Sequence, residues 1–312
     1  MLRNDMSSSA SIAIAIPCYN EGVTIAKVVA DFKVALPQAN IHVFDNNSSD
    51  DSAALARQAG AELHRVAAQG KGHVLRAIFD ELVEDFIVLV DGDDTYPAED
   101  VHKLLEPMLA GKADMVVGER MASATDANMV PMHQFGNRVI VGLVNSLFDA
   151  KHGDILSGYR VFNRHFVESV PVLTSGFEVE TEITLQALAE GLRVVEVPIN
   201  YRSRPQESLS KLRPFADGYR IFLTIAILLR DHRPLWLFGY ITAFFWLTAA
   251  LAGGLRMLNY LGLAQLSSSL LTGIILLCIP TGMITLGIGL SLNAINTRFQ
   301  EVKQFLRRHK EL

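Results

Sequence analysis

Leu235 to Leu255 runs for 21 residues without a charged side chain. As a helix rising ~1.5 Å per residue it reaches ~31 Å, which matches the ~30 Å hydrocarbon core of a bilayer. Met257 to Thr297 carries no formal charge either, and Leu270–Leu292 within it supplies a second span. This end of the chain is therefore predicted to form two transmembrane helices. A buried helical hairpin of a soluble protein is the alternative, but soluble core helices are seldom so long and so apolar.

The flanks set an orientation. Arg220, Arg230 and Arg233 precede the first span, and Arg298, Lys303, Arg307, Arg308 and Lys310 follow the second, while the connecting loop holds only Arg256. The positive-inside rule puts both outer ends in the cytosol. Met1 to Ala10 is polar and Ser-rich and lacks the apolar core of a secretory signal, so the N-terminal domain is expected to stay cytosolic. Pro214–Arg230 is apolar at Tyr219, Ile221, Phe222, Ile225, Ile227 and Leu228 and basic at its ends. It reads as a helix lying in the membrane interface, although an amphipathic helix packed on a domain carries the same pattern.

Residues 11–205 are of a different kind. Short β-branched runs alternate with amphipathic helical stretches. Strands are expected at Ile12–Ile16, Ile41–Phe44, Glu62–Val66, Phe86–Val90, Met115–Gly118 and Arg193–Pro198. Helices are expected at Glu21–Leu36, Ser52–Ala59, Gly72–Leu82, Phe135–Phe148 and Val179–Glu190. Sequential βα units imply a mainly parallel, right-handed, Rossmann-like α/β sheet. The chain thus divides into a disordered N-terminus (1–10), an α/β domain (11–205), a basic juxtamembrane segment (206–233), two membrane helices (234–297) and a basic tail (298–312).

Net charge is −5, which leaves no global nucleic-acid footprint. Cys18 and Cys278 are the only cysteines, and neither their number nor their spacing suggests a disulfide framework or a zinc site. The absence of charge inside the spans argues against a channel or transporter.

Chemistry is concentrated in Asp91-Gly92-Asp93-Asp94, directly after the apolar run Phe86–Val90. Carboxylates two apart at the end of a buried strand point into the crevice where open α/β sheets bind ligands. Hard carboxylate oxygens suit Mg²⁺ or Mn²⁺, which hold phosphates in turn. A polar strand-to-loop turn is the plain alternative. The first strand ends in Pro17-Cys18-Tyr19-Asn20-Glu21 and the second in Asp45-Asn46-Asn47-Ser48-Ser49-Asp50. In a parallel sheet both loops share an edge with Asp91 and Asp93. Asp45 can accept from the N–H edge of a base. Asn20 and Glu21 either hold ribose or cap the next helix. Gly70-Lys71-Gly72 opens a helix, where glycines allow close backbone approach and the N-terminus favours anions. Lys71 can meet a phosphate or ribose there, and a plain turn is the other reading.

These four motifs, in this order, resemble glycosyltransferase family 2. The later ones narrow the resemblance to its membrane-bound branch that glycosylates polyprenyl phosphates, similar to dolichol-phosphate mannose synthase and undecaprenyl-phosphate sugar transferases. Asp154-Ile155-Leu156-Ser157-Gly158-Tyr159-Arg160 resembles that branch's acceptor-loop motif, and Ser208-Leu209-Ser210-Lys211-Leu212 its Ser-Lys-Leu element. The resemblance implies a GT-A type fold and a single-hexose transfer with inversion. The donor would be a UDP- or GDP-sugar, and the acceptor a polyprenyl phosphate at the cytosolic face of a membrane such as the bacterial inner membrane. It places Pro17, Tyr19, Asn20, Glu21, Asp45, Asn47, Lys71, Asp91 and Gly92 around the donor. Asp91 and Asp93 would hold the metal, and Asp93, Asp154 and Glu180 would serve catalysis. Two departures stand out: Asp45-Asn46-Asn47-Ser48 replaces the common Asp-Asp-Gly-Ser, and Glu207 stands where relatives often have Gly. The Gln-x-x-Arg-Trp motif of processive members is absent, which argues against polymer synthesis.

A phosphate acceptor needs cations at the interface. Arg202, Arg204, Lys211 and Arg213 precede the interfacial helix, and an arginine fork suits phosphate geometry. A juxtamembrane patch binding anionic headgroups would look the same. With Ser210, they form the expected acceptor site, and Arg120, Arg138 and Arg160 are further phosphate candidates. Glu178, Glu180 and Glu182 would share one face of a strand, or on a helix would complement its dipole. Of these, Glu180 is expected at the site. His133 has no ligand partner at metal spacing and reads as a surface residue. Membrane lipids are expected partners and a homo-oligomer is open. Two other readings remain: transfer to a different membrane lipid, and a catalytically silent nucleotide-sugar-binding scaffold.

Overall fold

Strand β1 (Ile12–Cys18) is buried along almost its whole length, and that fixes it at the centre of the sheet. A strand covered on both faces reads as a continuous apolar run rather than an alternating one, as Ile-Ala-Ile-Ala-Ile does. The computed structural model describes residues 10–120, 141–142, 144–145, 153–205, 214–263 and 266–310. The other strands are β2 (Asn40–Asp45), β3 (Glu62–Arg65), β4 (Phe86–Leu89), β5 (Met115–Glu119), β6 (Arg160–Asn163) and β7 (Val194–Pro198). They form one sheet of order β3-β2-β1-β4-β6-β5-β7. All neighbours are parallel except β6, which runs antiparallel to β4 and β5.

Successive residues of β1 and β4 feed opposite cores, as the strand period of two demands. Ile14, Ile16, Val88 and Val90 join Val29 and Phe32 of helix α1 (Ile25–Ala35) on one face. Ala13, Ala15, Ile87 and Leu89 join Leu75 and Ile78 of helix α3 (Lys71–Glu81) on the other. Helix α2 (Ser52–Gln58) links β2 to β3. The chain winds outward from β1 to β3 and then returns to place β4 on the other side of β1. That reversal opens a crevice beyond the carboxyl ends of β1 and β4, where such sheets bind ligands.

The structure departs from expectation in four places. Helix α1 starts at Ile25 rather than Glu21, because the Glu21 carbonyl closes a turn by accepting from the Thr24 and Ile25 amides. Strand β6 was not foreseen. Helix α4 (Val101–Leu109) was also missed, and it carries Pro107 inside it. Helix α5 (Arg164–Ser169) follows β6 directly, with the Asn163 side chain accepting from the Phe166 amide as its cap. Helix α6 (Val179–Ala189) lies where expected. Of the expected Phe135–Phe148 helix, only residues 141–142 and 144–145 are among those described, and they are helical.

The chain divides into two compact units, Met1–Thr224 and Ile225–Leu312. Helix α7 (Pro214–His232) covers the division and leaves apolar Tyr219, Phe222 and Ile227 exposed. In the second unit, α8 (Pro234–Tyr260) has 27 residues and α9 (Ser268–Lys310) has 43. Both are long and apolar enough to cross a membrane, α9 over Ser268–Phe299. They pack antiparallel: Phe238 lies over Gly289, Trp246 over Gly282, and Thr242 and Thr285 share a hydroxyl hydrogen bond of 2.9 Å. Small residues at such crossings let helix backbones approach.

Gly72 shows how tightly the first unit closes. A Cβ there would stand 2.1 Å from the Thr174 carbonyl oxygen and 2.9 Å from Ser175 Cα, and its amide donates to the Ser175 carbonyl at 3.0 Å. The glycines beside Lys71 therefore admit the chain's own backbone, not a ligand as the sequence suggested. Gly72→Ala is expected to destabilise the protein by about 1–3 kcal/mol through overpacking against backbone that cannot yield, measured as a lowered thermal midpoint in detergent.

Candidate active site

Three residues other than glycine adopt left-handed backbone conformations among those described: Asn20 (φ 53°), Asn47 (φ 63°) and Asp94 (φ 59°). Each follows a different strand, β1, β2 or β4, and all three meet at the carboxyl edge. Asn and Asp tolerate this conformation best, and backbone held there collects at functional sites. Hydrogen bonds lace the loops together. The Asn20 amide donates to Ser48 Oγ at 2.9 Å, and Asn20 Oδ1 accepts from the Ser49 amide at 2.8 Å. The buried Glu21 follows, its amide donating to Ser52 Oγ at 2.8 Å. Thr24 Oγ1 donates to the Gly92 carbonyl at 2.6 Å, tying the first loop to the acidic one.

Asn46, which sequence reasoning passed over, joins three segments. Its Nδ2 donates to the carbonyls of Val66 (3.0 Å) and Ala68 (2.7 Å), and its Oδ1 accepts from the Gly70 amide (2.7 Å). The signal was its place in the motif, where the resemblance leads one to expect Asp, which could not donate. Beside it, buried Asp45 walls a cleft of about 520 Å³ with Asn47, Arg57, Leu63 and Arg65. That volume lies within the ~300–1,000 Å³ of small-ligand pockets. Pro17 lies near the carboxyl end of β1 and Tyr19 directly after it at the same edge, Tyr19 exposed.

The carboxylates of the acidic corner are met by cations from elsewhere in the chain, one lysine serving two of them. Lys71 Nζ lies 2.6 Å from Asp91 Oδ1 and 2.5 Å from Glu180 Oε1. Burial opposes the lysine's charge, but Asp91 and Glu180 outweigh it and hold its pKa above the ordinary lysine range. The other carboxylate oxygen of Glu180 is buried with no hydrogen-bond partner. Asp93, also buried, accepts from Thr95 Oγ1 at 2.6 Å and from the Arg204 guanidinium. Arg202 lies 3.0 Å from Glu99 and 3.8 Å from Asp94. Gly158 leaves room for Asp91, since a Cβ there would lie 2.3 Å from its Oδ2.

The acceptor-loop residues correct two expectations. Asp154 has no exposed surface, and Arg120 holds it through Nε at 2.6 Å and Nη2 at 2.9 Å. In this structure the enclosed carboxylate holds Arg120 in place. The Arg120 guanidinium sits 5.5 Å from the centre of the Tyr201 ring. Arg160 is likewise wholly buried, not facing an acceptor. It braces its own loop by donating to the carbonyls of Ser157 and Ile155 and to Thr184 Oγ1. Glu178, just before α6, and Glu182, on it, are buried and serve local structure, Glu178 accepting from the Gly176 amide and Glu182 from the Leu173 and Thr174 amides. Tyr96, also missed, accepts from the Gly158 amide at 3.0 Å and packs at a tilt against Tyr159 and edge-on against Tyr201. Arg138, His133, Ser210, Lys211 and Arg213 lie outside the described residues.

The donor set at this corner fits Mg²⁺ or Mn²⁺. It offers two hard carboxylates whose oxygens already draw cationic side chains, Lys71 and Arg204, from distant segments.

A mostly parallel seven-stranded sheet with paired aspartates beyond β4 defines a GT-A-like sugar-transferase fold. The profile described as Glycosyl transferase family 2 matches residues 13–170, just over half the chain, and the chain belongs to that family. Glycosyltransferase AglJ of Haloferax volcanii is 36% identical over 239 residues, 75% of this chain and 77% of that protein. The dolichyl-phosphate hexose transferase of the same organism is 29% identical over 223 residues, 71% of this chain and 95% of that protein. Among solved structures, glucosyl-3-phosphoglycerate synthase of Mycobacterium tuberculosis, in complex with Mn²⁺, UDP-glucose and glycerol 3-phosphate, superposes with a TM-score of 0.61. It is 19% identical and covers 72% of this chain and 81% of that one.

The Arg120–Asp154 pair sets a pH dependence. Burial raises the Asp154 pKa, but Arg120 outweighs it and leaves the carboxyl below the usual carboxylate range. In the unfolded chain it titrates near ~3.9. A depressed folded value stabilises the fold above that pH, and the stabilisation is lost as pH falls toward the folded value. Asp154→Asn is expected to cost about 3–5 kcal/mol at pH 7 by stranding a buried guanidinium. It should also flatten the acid limb of the stability curve. Denaturant unfolding of both proteins between neutral and acid pH measures this.

Proposed function

We propose that this protein transfers one hexose from a nucleotide-diphosphate sugar to a polyprenyl phosphate, with inversion, at the cytosolic face of a membrane. The observation that carries the reading is the compensated acidic corner, Asp91 with Lys71 and Glu180 and Asp93 with Arg204, set beyond β4 in a chain with two candidate membrane spans. The relative named as a dolichyl-phosphate hexose transferase supports the acceptor class. The neighbour solved with Mn²⁺ and UDP-glucose supports a nucleotide-sugar donor.

Asp45 and its cleft receive the base. Asp91 and Asp93 would hold Mg²⁺ or Mn²⁺, which when bound neutralises the leaving diphosphate. Glu180 keeps Lys71 charged and in place beside the donor phosphates. Arg204 is positioned to meet either the donor or the acceptor phosphate. The acceptor monoester has a second pKa of ~6 and is largely dianionic at neutral pH, so it attacks without a strong general base. Positioning and electrostatics then supply most of the catalysis. Ser210 and Lys211, with Arg202, complete the acceptor side next to the basic juxtamembrane segment.

Membranes containing the protein, supplied with radiolabelled UDP- and GDP-sugars and polyprenyl phosphate, should yield a polyprenyl-monophosphate sugar identified by mass. Asp93→Asn should lower that product by about 100-fold or more while the protein stays folded. Undiminished product in that variant would overturn the assignment of the corner. Lys211→Met should raise the acceptor concentration needed for half-maximal rate and leave that of the donor nearly unchanged; equal shifts in both would remove Lys211 from the acceptor site.

A further inference from the structure

The β3 edge of the sheet holds a second constellation that the transfer reaction does not use. His42 on β2 and Glu62 and His64 on β3 turn their ligating atoms toward one point, all within 4.8 Å of one another. His42 precedes Asp45 by three residues, roughly 10 Å along a strand at ~3.3 Å per residue, and β1 stands between β2 and β4, so this cluster is separate from the acidic corner beyond β4. His42 Nδ1 lies 3.1 Å from His64 Nε2. The Glu62 carboxylate approaches His42 Nδ1 at 3.5 Å and His64 Nε2 at 3.8 Å, through different oxygens.

These spacings are those of ligands around a single ion. Two imidazole nitrogens about 2.0–2.1 Å from a tetrahedral zinc ion stand about 3.3 Å apart. The outer nitrogens strengthen the case. His64 Nδ1 meets Glu81 Oε2, at the end of α3, at 2.6 Å. With that nitrogen donating, Nε2 presents a lone pair toward His42. His42 Nε2 is buried, has no hydrogen-bond partner, and faces Glu84 Oε1 at 3.6 Å. Ligating histidines almost always direct their second nitrogen to a carboxylate or carbonyl, which fixes tautomer and ring angle. Here both do. Phe44 stacks on the His64 ring at 4.4 Å and holds its plane. Three carboxylates and the carboxyl end of α3 make the point favourable for a cation.

We propose that His42 Nδ1, His64 Nε2 and the Glu62 carboxylate bind one divalent transition-metal ion of the zinc type, with Glu81 and Glu84 as supporting carboxylates and water completing the coordination. Its effect is structural. Strand β3 is the sheet edge and only four residues long. An ion shared between β2 and β3 pins it, and β3 leads into the segment that Asn46 grips before Lys71. Glu62, His64 and Glu81 escape a local motif because the ligands meet across strands and the supporting carboxylate comes from a helix.

The test is zinc binding by the full chain, purified in detergent without a histidine tag and stripped of metal. All titrations use an Asp93→Asn background, so that zinc at the acidic corner is not counted. One Zn²⁺ per chain is expected, with a raised thermal midpoint on binding. Glu62→Gln, whose side chain is exposed and unneeded for folding, should weaken binding by at least ~10-fold, and Glu81→Gln by ~10–100-fold. His64→Asn should weaken it by ~100-fold or more and abolish the thermal shift. Tetrahedral visible absorption from bound Co²⁺ should be lost in the same variants. Failure of the background protein to bind zinc, or zinc affinity unchanged in both Glu62→Gln and His64→Asn, overturns the site.

Discussion

Two carboxylates can be kept at a partly buried strand end only if positive charge meets them there. In this protein that charge comes from far along the chain. Lys71 is brought in by α3, its partner Glu180 by α6, and Arg204 by the segment after β7. A carboxylate removed from water without a partner would cost several kcal/mol, so the fold is obliged to bring these segments together. The close seating of the loop at residues 174–175 on Gly72 belongs to the same requirement, because it sets where Lys71 emerges. The geometry of the site is thus a product of charge balance across the whole sheet rather than of any one motif.

The acceptor-loop region obeys the same rule one step removed. Asp154 and Arg120 neutralise each other beneath Tyr201, while Glu196 accepts from the Gly153 amide at 2.6 Å. Arg160 carries the principle to its limit, a guanidinium with no exposed surface whose donors end on its own loop, on α6 and on the Met115 sulfur of β5. The arginines nearest the candidate donor site therefore differ in kind. Arg204 holds the buried Asp93 and Arg202 approaches the half-buried Asp94 of the acidic motif, whereas Arg120 and Arg160 find partners within the acceptor-loop region.

Most of the sheet was legible because its strands announce themselves. Ile12–Ile16 and Phe86–Val90 are continuous apolar runs, and the acidic motif marks where the latter ends. Strand β6 was not, because Tyr159-Arg160-Val161-Phe162-Asn163 places an arginine inside the run, and only the finished fold supplies its partners. Helix α4 was hidden by Pro107, which sits in its last turn. The spacing of Asp91 and Asp93 pointed to the right edge, yet nothing local links Lys71 to Glu180, 109 positions away. Asp154 and Arg160 were misplaced for the converse reason: charge suggested contact with phosphate, and only packing reveals that they are enclosed.

The length of α9 carries a consequence beyond the lipid. Of its 43 residues only Leu270–Leu292 forms the apolar span, ~35 Å at ~1.5 Å per residue against ~30 Å of hydrocarbon, a fit that a slight tilt completes. The helix continues unbroken from Leu292 to Lys310, another ~27 Å. As a span, α9 would therefore project from the bilayer as a stiff basic rod, holding Arg298 and the residues after it at a fixed distance from the lipid rather than on a loose tether.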